Sequence, residues 1–372
     1  MMYMVIAPKA QVGAYRPSVR RSLDSLRSLG MTAFLGDVMK IYKPAYFDEF
    51  RCIASACSDS CCKEWGVQVD EVSAAYYREL PGELGDRLRE VLCDEDGETV
   101  MTIVDGRCPM WREDGLCRIQ AELGEQALCK TCREFPRLTH DYGDFVEMGL
   151  ELSCPEAARM ILNAPIDRGI AVLARNDGEN VEPEYDVEAM AVLKRTRERA
   201  LAILGDSGRS VGEILALLLL YGYQAQGELD GDEEMAFSPD SALDSVAEMA
   251  KKADIREIPG FFLGLEILTE EWKQRLQCPD PGNWDGRTRA FAAYFVGRYW
   301  LQAVSDYDLV GRVKFMIIAC LLVKTLGGDF EKTAQLFSKE IENDADNVDA
   351  ILDGAYGSSA FTDDKLLGWL LE

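Results

Sequence analysis

Apolar residues in the second half of the chain recur at three- and four-residue spacings, the pattern of helices that bury one face. Gly205 is placed to end the first of these helices, and Asp329 is placed to cap the last. Phe291, Phe295 and Tyr299 share one helical face, so we expect them in a hydrophobic core rather than at a cofactor. The predicted helices span residues 187–204, 211–225, 242–253, 261–276, 286–304, 309–326 and 330–342.

The part of the chain from residue 39 to about residue 165 is rich in turn-forming residues and contains ten of the twelve cysteines. Runs of β-forming residues predict strands at Thr99–Val104 and Phe145–Leu152, and Pro155 followed by Glu156 favours a helix start. We therefore predict a mainly α fold with a small β element, at most a small antiparallel sheet. A turn-rich cysteine-cluster domain would precede an α-helical domain.

The distribution of charge suggests where these domains meet. Residues 177–188, DGENVEPEYDVE, carry six acids and no base, which is typical of a solvated linker. We expect a metal-binding domain at 39–176 and a helical domain at 189–372. Residues 1–38 are basic without a strong period, so we expect a poorly structured extension or a misassigned start.

The net charge of −25 argues against a nucleic-acid binder, because such proteins usually present a basic face. An acidic surface suits a partner that presents lysines. The longest apolar stretches, Ile214–Tyr221 and Phe315–Val323, are shorter than the roughly 20 residues that a membrane span needs. The N-terminus has no secretory signal pattern. We expect a cytoplasmic protein that binds neither nucleic acid nor membrane.

The cysteines suggest the chemistry. In a reducing cytoplasm, clustered cysteines indicate metal binding or catalysis rather than disulfides. Short spacings let one loop offer several thiolates to one centre, and thiolate is preferred by zinc and by iron–sulfur clusters. The four groups are Cys52, Cys57, Cys61 and Cys62; Cys108 and Cys117; Cys129 and Cys132; and Cys154.

The remaining sequence features exclude several classes of active site. His140 is the single histidine, which excludes His-based triads and two-histidine metal sites, and we expect it to be an ordinary surface or capping residue. The chain has no Walker motif and no glycine-rich turn between a strand and a helix, so a Rossmann enzyme is not indicated. Cys93, Cys278 and Cys320 are expected to be small buried apolar residues.

Three stretches carry a family resemblance: KPAYFDEFRCIASACSDSCCKEWGVQVD at 43–70, CPMWREDGLCRIQAELGEQALCKTCREFPRL at 108–138, and LELSCPEAARMIL at 150–162. Together they resemble the flagellin lysine-N-methylase (FliB) family, itself related to zinc- or iron-chelating cysteine-cluster proteins. The ordered set of motifs is specific as a whole. The resemblance covers roughly residues 39–165, and the helical remainder is similar only in length and character.

This resemblance implies an enzyme that transfers methyl groups from S-adenosylmethionine to the lysine side chains of flagellin, its protein partner. It also implies an iron–sulfur cluster of the 4Fe-4S type, held by family cysteines. Eight candidate ligands are more than one four-iron cluster needs. The metal-ligand candidates carried over by motif are Cys52, Cys57, Cys61, Cys62, Cys108, Cys117, Cys132 and Cys154.

The sequence departs from the family pattern at three positions. Cys129 stands where the family has another residue, so it is left out of the ligand set. Ala54 and Glu64 stand where the family has glycine, and a side chain there restricts the local turn.

Methyl transfer to lysine at neutral pH requires that its ammonium first lose a proton. Asp59, Asp70 and Glu151 lie beside the cysteine motifs and are candidates for this catalytic role, with turn-forming or solvated roles as the alternative. Arg133 and Arg137 are candidates for binding the carboxylate of the methyl donor, with structural ion pairs as the alternative.

Two other functions stay open. A non-catalytic module would use zinc or iron to fold the turn-rich domain, and structural zinc normally takes four ligands. A thiol redox switch would use Cys61 and Cys62 or Cys129 and Cys132, although no thioredoxin-like pattern surrounds either pair. Binding of S-adenosylmethionine would distinguish the enzyme from the module.

Overall fold

The computed structural model describes residues 38–95, 97–166, 170–176 and 183–372. The predicted N-terminal extension lies outside these ranges except for Val38, and so does residue range 177–182 of the predicted linker. The domain boundaries therefore stay predictions. Below, residues 51–136 are called the cysteine segment and residues 183–372 the helical body.

Within the described chain, seven strands form two sheets, and their bounds are β1 (Val38–Pro44), β2 (Val67–Gln68), β3 (Leu92–Glu95), β4 (Glu98–Met101), β5 (Arg137–Asp141), β6 (Phe145–Leu150) and β7 (Ile170–Asn176). The larger sheet has the order β5-β6-β1-β7 and the smaller has β2-β4-β3. β1 pairs in parallel with β6, so the expectation of a purely antiparallel sheet is wrong at this pair. A parallel pair needs a long crossover, and here the cysteine segment lies within it.

The mainly α character predicted from the sequence is confirmed, and the predicted strands correspond to β4 and β6. The helices of the described residues are α1 (Glu71–Glu79), α2 (Gly82–Val91), α3 (Arg118–Leu123), α4 (Lys130–Glu134), α5 (Pro155–Leu162), α6 (Val187–Leu204), α7 (Val211–Leu229), α8 (Pro239–Met249), α9 (Glu257–Phe262), α10 (Glu270–Gln277), α11 (Thr288–Tyr299), α12 (Leu309–Leu326), α13 (Phe330–Phe337), α14 (Ala345–Gly357) and α15 (Asp363–Leu371). None of these is long and apolar enough to cross a bilayer.

One predicted helix is wrong. The sequence pattern predicted a continuous helix over 261–276, but α9 ends at Phe262 and α10 begins only after Thr269. The Thr269 side chain accepts a hydrogen bond from the Trp272 amide and caps α10. The Leu268 amide donates to Glu340 at 2.8 Å. The backbone between α9 and α10 therefore forms a hydrogen bond with Glu340, after α13, instead of forming a helical turn.

The described chain has two hydrophobic clusters. The larger extends through the helical body and includes Phe291, Phe295 and Tyr299, as predicted, together with residues of β6 and α5. The smaller lies in the cysteine segment, and Cys108 and Cys129 are among its buried members. Cysteine side chains thus form part of the core of the cysteine segment.

Candidate metal centre and adjoining cavity

The cysteine string at 52–62 lies on an irregular loop with a single 3-10 turn at Ala54–Ala56. Ala54 has φ 49° and Glu64 has φ 76°, both in the left-handed region that favours glycine. These are the two positions where the family pattern has glycine. The expectation that side chains there restrict the turn agrees with this geometry.

Four thiols lie close enough to perturb one another. Cys61 donates a hydrogen bond to Cys62, which raises the pKa of Cys61 well above its ordinary value. Cys52 and Cys154 add to this rise in the pKa of Cys61. Burial raises the pKa of Cys57, to which Cys52 also contributes. We call Cys52, Cys57, Cys61 and Cys154 the first thiol group.

A second thiol group lies in the smaller core. The Cys108 amide donates to the Cys62 carbonyl at 2.7 Å, which ties the string to the next cysteine motif. Burial raises the pKa of Cys108 to about 12, with contributions from Cys62, Cys117 and Cys129. We call Cys62, Cys108, Cys117, Cys129 and Cys132 the second thiol group.

Cys129 belongs to the second thiol group although the family pattern left it out. Cys132 donates a hydrogen bond to Cys129, which lowers the pKa of Cys129 and raises that of Cys132. In the same way, the bond from Cys61 lowers the pKa of Cys62 to about 7. A hydrogen bond therefore links the two thiols of each pair, and the Cys61–Cys62 pair joins the two groups.

Three of the cysteines immediately precede a helix. Cys117, Cys129 and Cys154 stand at the N-caps of α3, α4 and α5. Pro155 is the first residue of α5, as the sequence predicted. Backbone amides at a helix start favour a thiolate, and those of Glu156 and Ala157 partly offset the burial that raises the pKa of Cys154 to about 12.

The thiols fit a thiolate-preferring metal by type and number. In the described residues, no three side chains of Cys, His, Asp or Glu converge as a metal site in their present positions. The cysteines of each thiol group thus lie near one another, but among the described residues no three of their side chains surround a common point. Of the cysteines outside them, Cys320 is buried as expected, whereas Cys278 is exposed, so that expectation is wrong for Cys278.

Lys339 binds the cysteine string to the helical body. Its side chain is 2% exposed, and its Nζ lies 2.8 Å from Asp59 Oδ2 and 2.5 Å from Glu64 Oε2. The same ammonium stands 5.1 Å from the ring centroid of Trp65, which is itself buried. Lys339 lies in a π-helical turn, Ser338–Glu342, and such turns occur frequently at functional sites.

The three carboxylates proposed for proton removal have different environments. Burial opposes the ionisation of Asp59, but Lys339 outweighs it and lowers the pKa of Asp59. Asp70 caps α1 and accepts a bond from the Lys130 amide at 2.8 Å, which lowers the pKa of Asp70 despite partial burial. Glu151 is buried, and burial raises its pKa. Asp59 and Asp70 thus have structural contacts, and Glu151 is the one of the three whose pKa is raised.

Arg133 and Arg137 do not make a fork. Arg133 donates to the Leu128 carbonyl at 3.2 Å, and Arg137 lies over the Phe50 ring at 5.2 Å from its centroid. Neither lines the large cavity described next.

A cavity of about 460 Å³ lies between the larger sheet and helices α6 and α11. His140 and Glu147 face each other across β5 and β6 and line it together with Tyr42 of β1. Glu147 accepts two bonds from Arg197 of α6, at 2.7 and 2.9 Å. The sequence did not predict this site. No local pattern marks it, because its walls come from three strands and two helices.

The expectation for His140 is wrong, because it lies on a strand and its Nε2 atom is buried. Among the described residues this atom has no hydrogen-bond partner. Burial and the nearby Arg298 guanidinium lower the pKa of His140 to about 4, so the ring is neutral at pH 7. Arg298 also lines the cavity and pairs with buried Glu342 at 3.2 Å, and Tyr299 donates to Glu342 at 2.7 Å.

Comparison with known proteins gives three similar chains. The flagellar biosynthetic protein FliU of Salmonella muenchen is 36% identical over 132 residues, which are 34% of this chain and 78% of the relative. Two proteins named lysine-N-methylase, from Salmonella typhimurium and Salmonella choleraesuis, are each 36% identical over 135 residues. The match spans 34% of this chain and 33% of each of these two relatives. No family model and no solved structure gives a match.

Proposed function

Since the chain belongs to the flagellin lysine-N-methylase family, we propose that it is a protein-lysine N-methyltransferase that acts on flagellin. In this proposal it uses S-adenosylmethionine and a cysteine-ligated iron–sulfur cluster. The observation that carries the proposal is the gathering of nine thiols into two adjoining groups in a chain similar to proteins named lysine-N-methylase.

The first and second thiol groups are the candidates for holding the cluster. A four-iron cluster takes four cysteine ligands, so one group would suffice and the other would hold a second metal or support the first. Bound there, a cluster would supply redox or Lewis-acid chemistry beside the substrate. Lys339 would keep the string in position, because its two ion pairs connect the string to the helical body.

The substrate lysine has to lose a proton before its nitrogen can accept a methyl group. Glu151 is suited to receive this proton, because burial raises its pKa toward the operating range. The Ser153 hydroxyl donates to Glu151 at 2.9 Å and fixes its orientation. The acidic surface, with a net charge of −25, would attract a lysine-presenting protein.

A non-catalytic metal module is the second candidate. It is favoured by one observation: Cys108 and Cys129 are buried members of the smaller core, as ligands of a structural metal would be. This candidate predicts stoichiometric zinc and no binding of a methyl donor.

Metal analysis distinguishes the two candidates. The protein would be purified anaerobically and analysed for iron, sulfide and zinc, with absorption and electron paramagnetic resonance spectra. About four irons with matching sulfide would agree with the cluster enzyme. Zinc without iron would contradict the cluster and favour the module. Co-expression with flagellin and mass spectrometry of its lysines would test the transfer itself.

A further inference from the structure

We propose that the cavity between the larger sheet and helices α6 and α11 is the binding site of the methyl donor, S-adenosylmethionine. This inference rests on the proposed function and adds a location to it. Small-molecule sites have volumes of roughly 300 to 1,000 Å³, and this cavity has about 460 Å³. This volume is enough for a nucleoside, whereas an inserted lysine side chain would need only a narrow channel.

The walls suit the flat base of a nucleoside. Tyr42 and Leu138 on the sheet face Leu201 on α6, so apolar and aromatic side chains line both sides. A purine ring gains from such surfaces by burial and by offset stacking on aromatic rings. Gly149 on β6 leaves the space above the strand open, since a Cβ added there would meet no atom within 4 Å.

The unpartnered Nε2 of His140 identifies a hydrogen-bond partner for the base. A buried polar atom without a partner costs roughly 1–3 kcal/mol, and a ligand that bonds to it would recover this. A neutral imidazole has one N–H donor and one acceptor nitrogen. The Nε2 atom can therefore form one bond to an adenine edge, either accepting from the amino group or donating to a ring nitrogen, and the neutral ring adds no charge that would repel the sulfonium.

The rim offers a partner for the ribose. Glu198 on α6 lines the cavity, is exposed, and forms no ion pair with any residue that the structure describes. A carboxylate can accept bonds from ribose hydroxyls, as in dinucleotide-binding folds. Glu147 is not available for this role, because Arg197 occupies both of its oxygens.

The position of the cavity also agrees with methyl transfer beside the cysteines. The strand β5 follows α4, which carries Cys132, and β6 ends just before Cys154. The lining residue Leu150 adjoins Glu151, the candidate proton acceptor. A donor in the cavity would thus lie against the strands that lead to both thiol groups.

The test is binding of S-adenosylhomocysteine, the stable product, to the full chain purified anaerobically, measured by calorimetry. Gly149→Phe fills the cavity from an open position and is expected to weaken binding by about tenfold or more. His140→Phe is expected to weaken it by about tenfold while leaving the cavity volume nearly unchanged. Gly260→Phe is the matched control, because a Cβ at this exposed glycine also meets no atom within 4 Å and Gly260 lies outside the cavity.

Three outcomes are decisive. Loss of binding in Gly149→Phe and His140→Phe, with retention in Gly260→Phe and unchanged circular dichroism, supports the site. Full binding by both cavity variants overturns the location while leaving the proposed methyltransferase intact. If the wild-type protein binds neither S-adenosylhomocysteine nor S-adenosylmethionine, the inference is overturned. Methylation of co-expressed flagellin then decides separately whether the proposed function fails as well.

Discussion

The helical body and the cysteine segment bury their interiors in different ways. In the helical body, long helices such as α12 are buried on nearly every side by apolar neighbours. In the cysteine segment, the core is small, includes Cys108 and Cys129, and the adjoining turns hold Ala54 and Glu64 in left-handed backbone conformations. The helical body is therefore stabilised chiefly by apolar burial, with buried ion pairs such as that of Arg298 and Glu342 inside it. The cysteine segment has thiols where a metal would complete the core.

The largest expected effect comes from removing the metal. If the thiol groups hold one, chelation under anaerobic conditions should unfold the cysteine segment, since structural thiolate sites contribute on the order of 10 kcal/mol. Hydrogen exchange followed by mass spectrometry should show lost protection in α1 and α2 and retained protection in α12. Equal loss of protection in both regions would contradict the comparison, and unchanged exchange would argue against a structural role for metal.

Breaking the connection between the two regions should have the next largest effect. Lys339→Met removes the counter-charge of Glu64 and leaves Asp59 only the more distant Lys63, at 3.9 Å, so we expect the free energy of unfolding to fall by about 3 kcal/mol. Chemical denaturation would measure this. Lys332→Met is the control, because Lys332 and its partner Glu271 are 55% and 44% exposed. Such a surface pair contributes about 0–1 kcal/mol. Equal losses of unfolding free energy in the two variants would show that Lys339 does not hold the cysteine string to the helical body.

Glu340 should give the helical body a pH-dependent contribution to stability. Burial raises the pKa of Glu340 to about 7, above its ordinary value of 4.5. The folded state therefore holds this proton more tightly than the unfolded state. The resulting stability is complete below the unfolded pKa and is lost as the pH rises through about 7. We expect the contribution of Glu340 to fall by about 2 kcal/mol between about pH 5 and pH 7, whereas His140, whose pKa is lowered, contributes a change of opposite sign over this range.

Glu340→Gln supplies the matching control for this pH effect. The amide can accept from the Leu268 amide and donate to the Thr269 hydroxyl, the two groups that contact Glu340. In thermal denaturation, the wild type should lose about 2 kcal/mol of stability relative to this variant between about pH 5 and pH 7. The same slope in both proteins would mean that another group is responsible.

The smallest expected effect is in the cysteine string. Ala54→Gly should raise the free energy of unfolding by roughly 1 kcal/mol, because glycine adopts φ 49° without the strain of a Cβ. Ala56 lies in the same 3-10 turn and is not among the described residues with positive φ. Ala56→Gly should therefore destabilise the protein slightly. A loss in both variants, measured by chemical denaturation, would show that the strain at Ala54 is unimportant.

The two regions also differ in how far the sequence predicted them. The bounds of α6 and α12 agree with the prediction, because the apolar residues of each helix and the capping residues Asp186 and Asp308 are local signals. The break between α9 and α10 was missed, since it depends on the distant carboxylate of Glu340. The parallel pairing of β1 with β6 was likewise invisible, because it joins strands far apart in sequence.

The features of the candidate site also differ in whether the sequence could predict them. The cysteine motifs and the unusual positions Ala54 and Glu64 could be found in the sequence because residue type and spacing define them. The cavity could not, since its walls come from three strands and two helices and its key feature is the unpartnered His140 Nε2. The role of Lys339 was also missed, because a single lysine on a helix gives no sign of the distant carboxylates it will contact.

The most direct test of the central claim is transfer of a deuterium-labelled methyl group from S-adenosylmethionine to purified flagellin. The full chain, purified anaerobically with its metal content measured, would be incubated with both, and flagellin peptides would be analysed by mass spectrometry. The account predicts labelled methyl groups on flagellin lysine side chains. Unlabelled flagellin, after incubation with protein whose iron–sulfur content is intact, would contradict it.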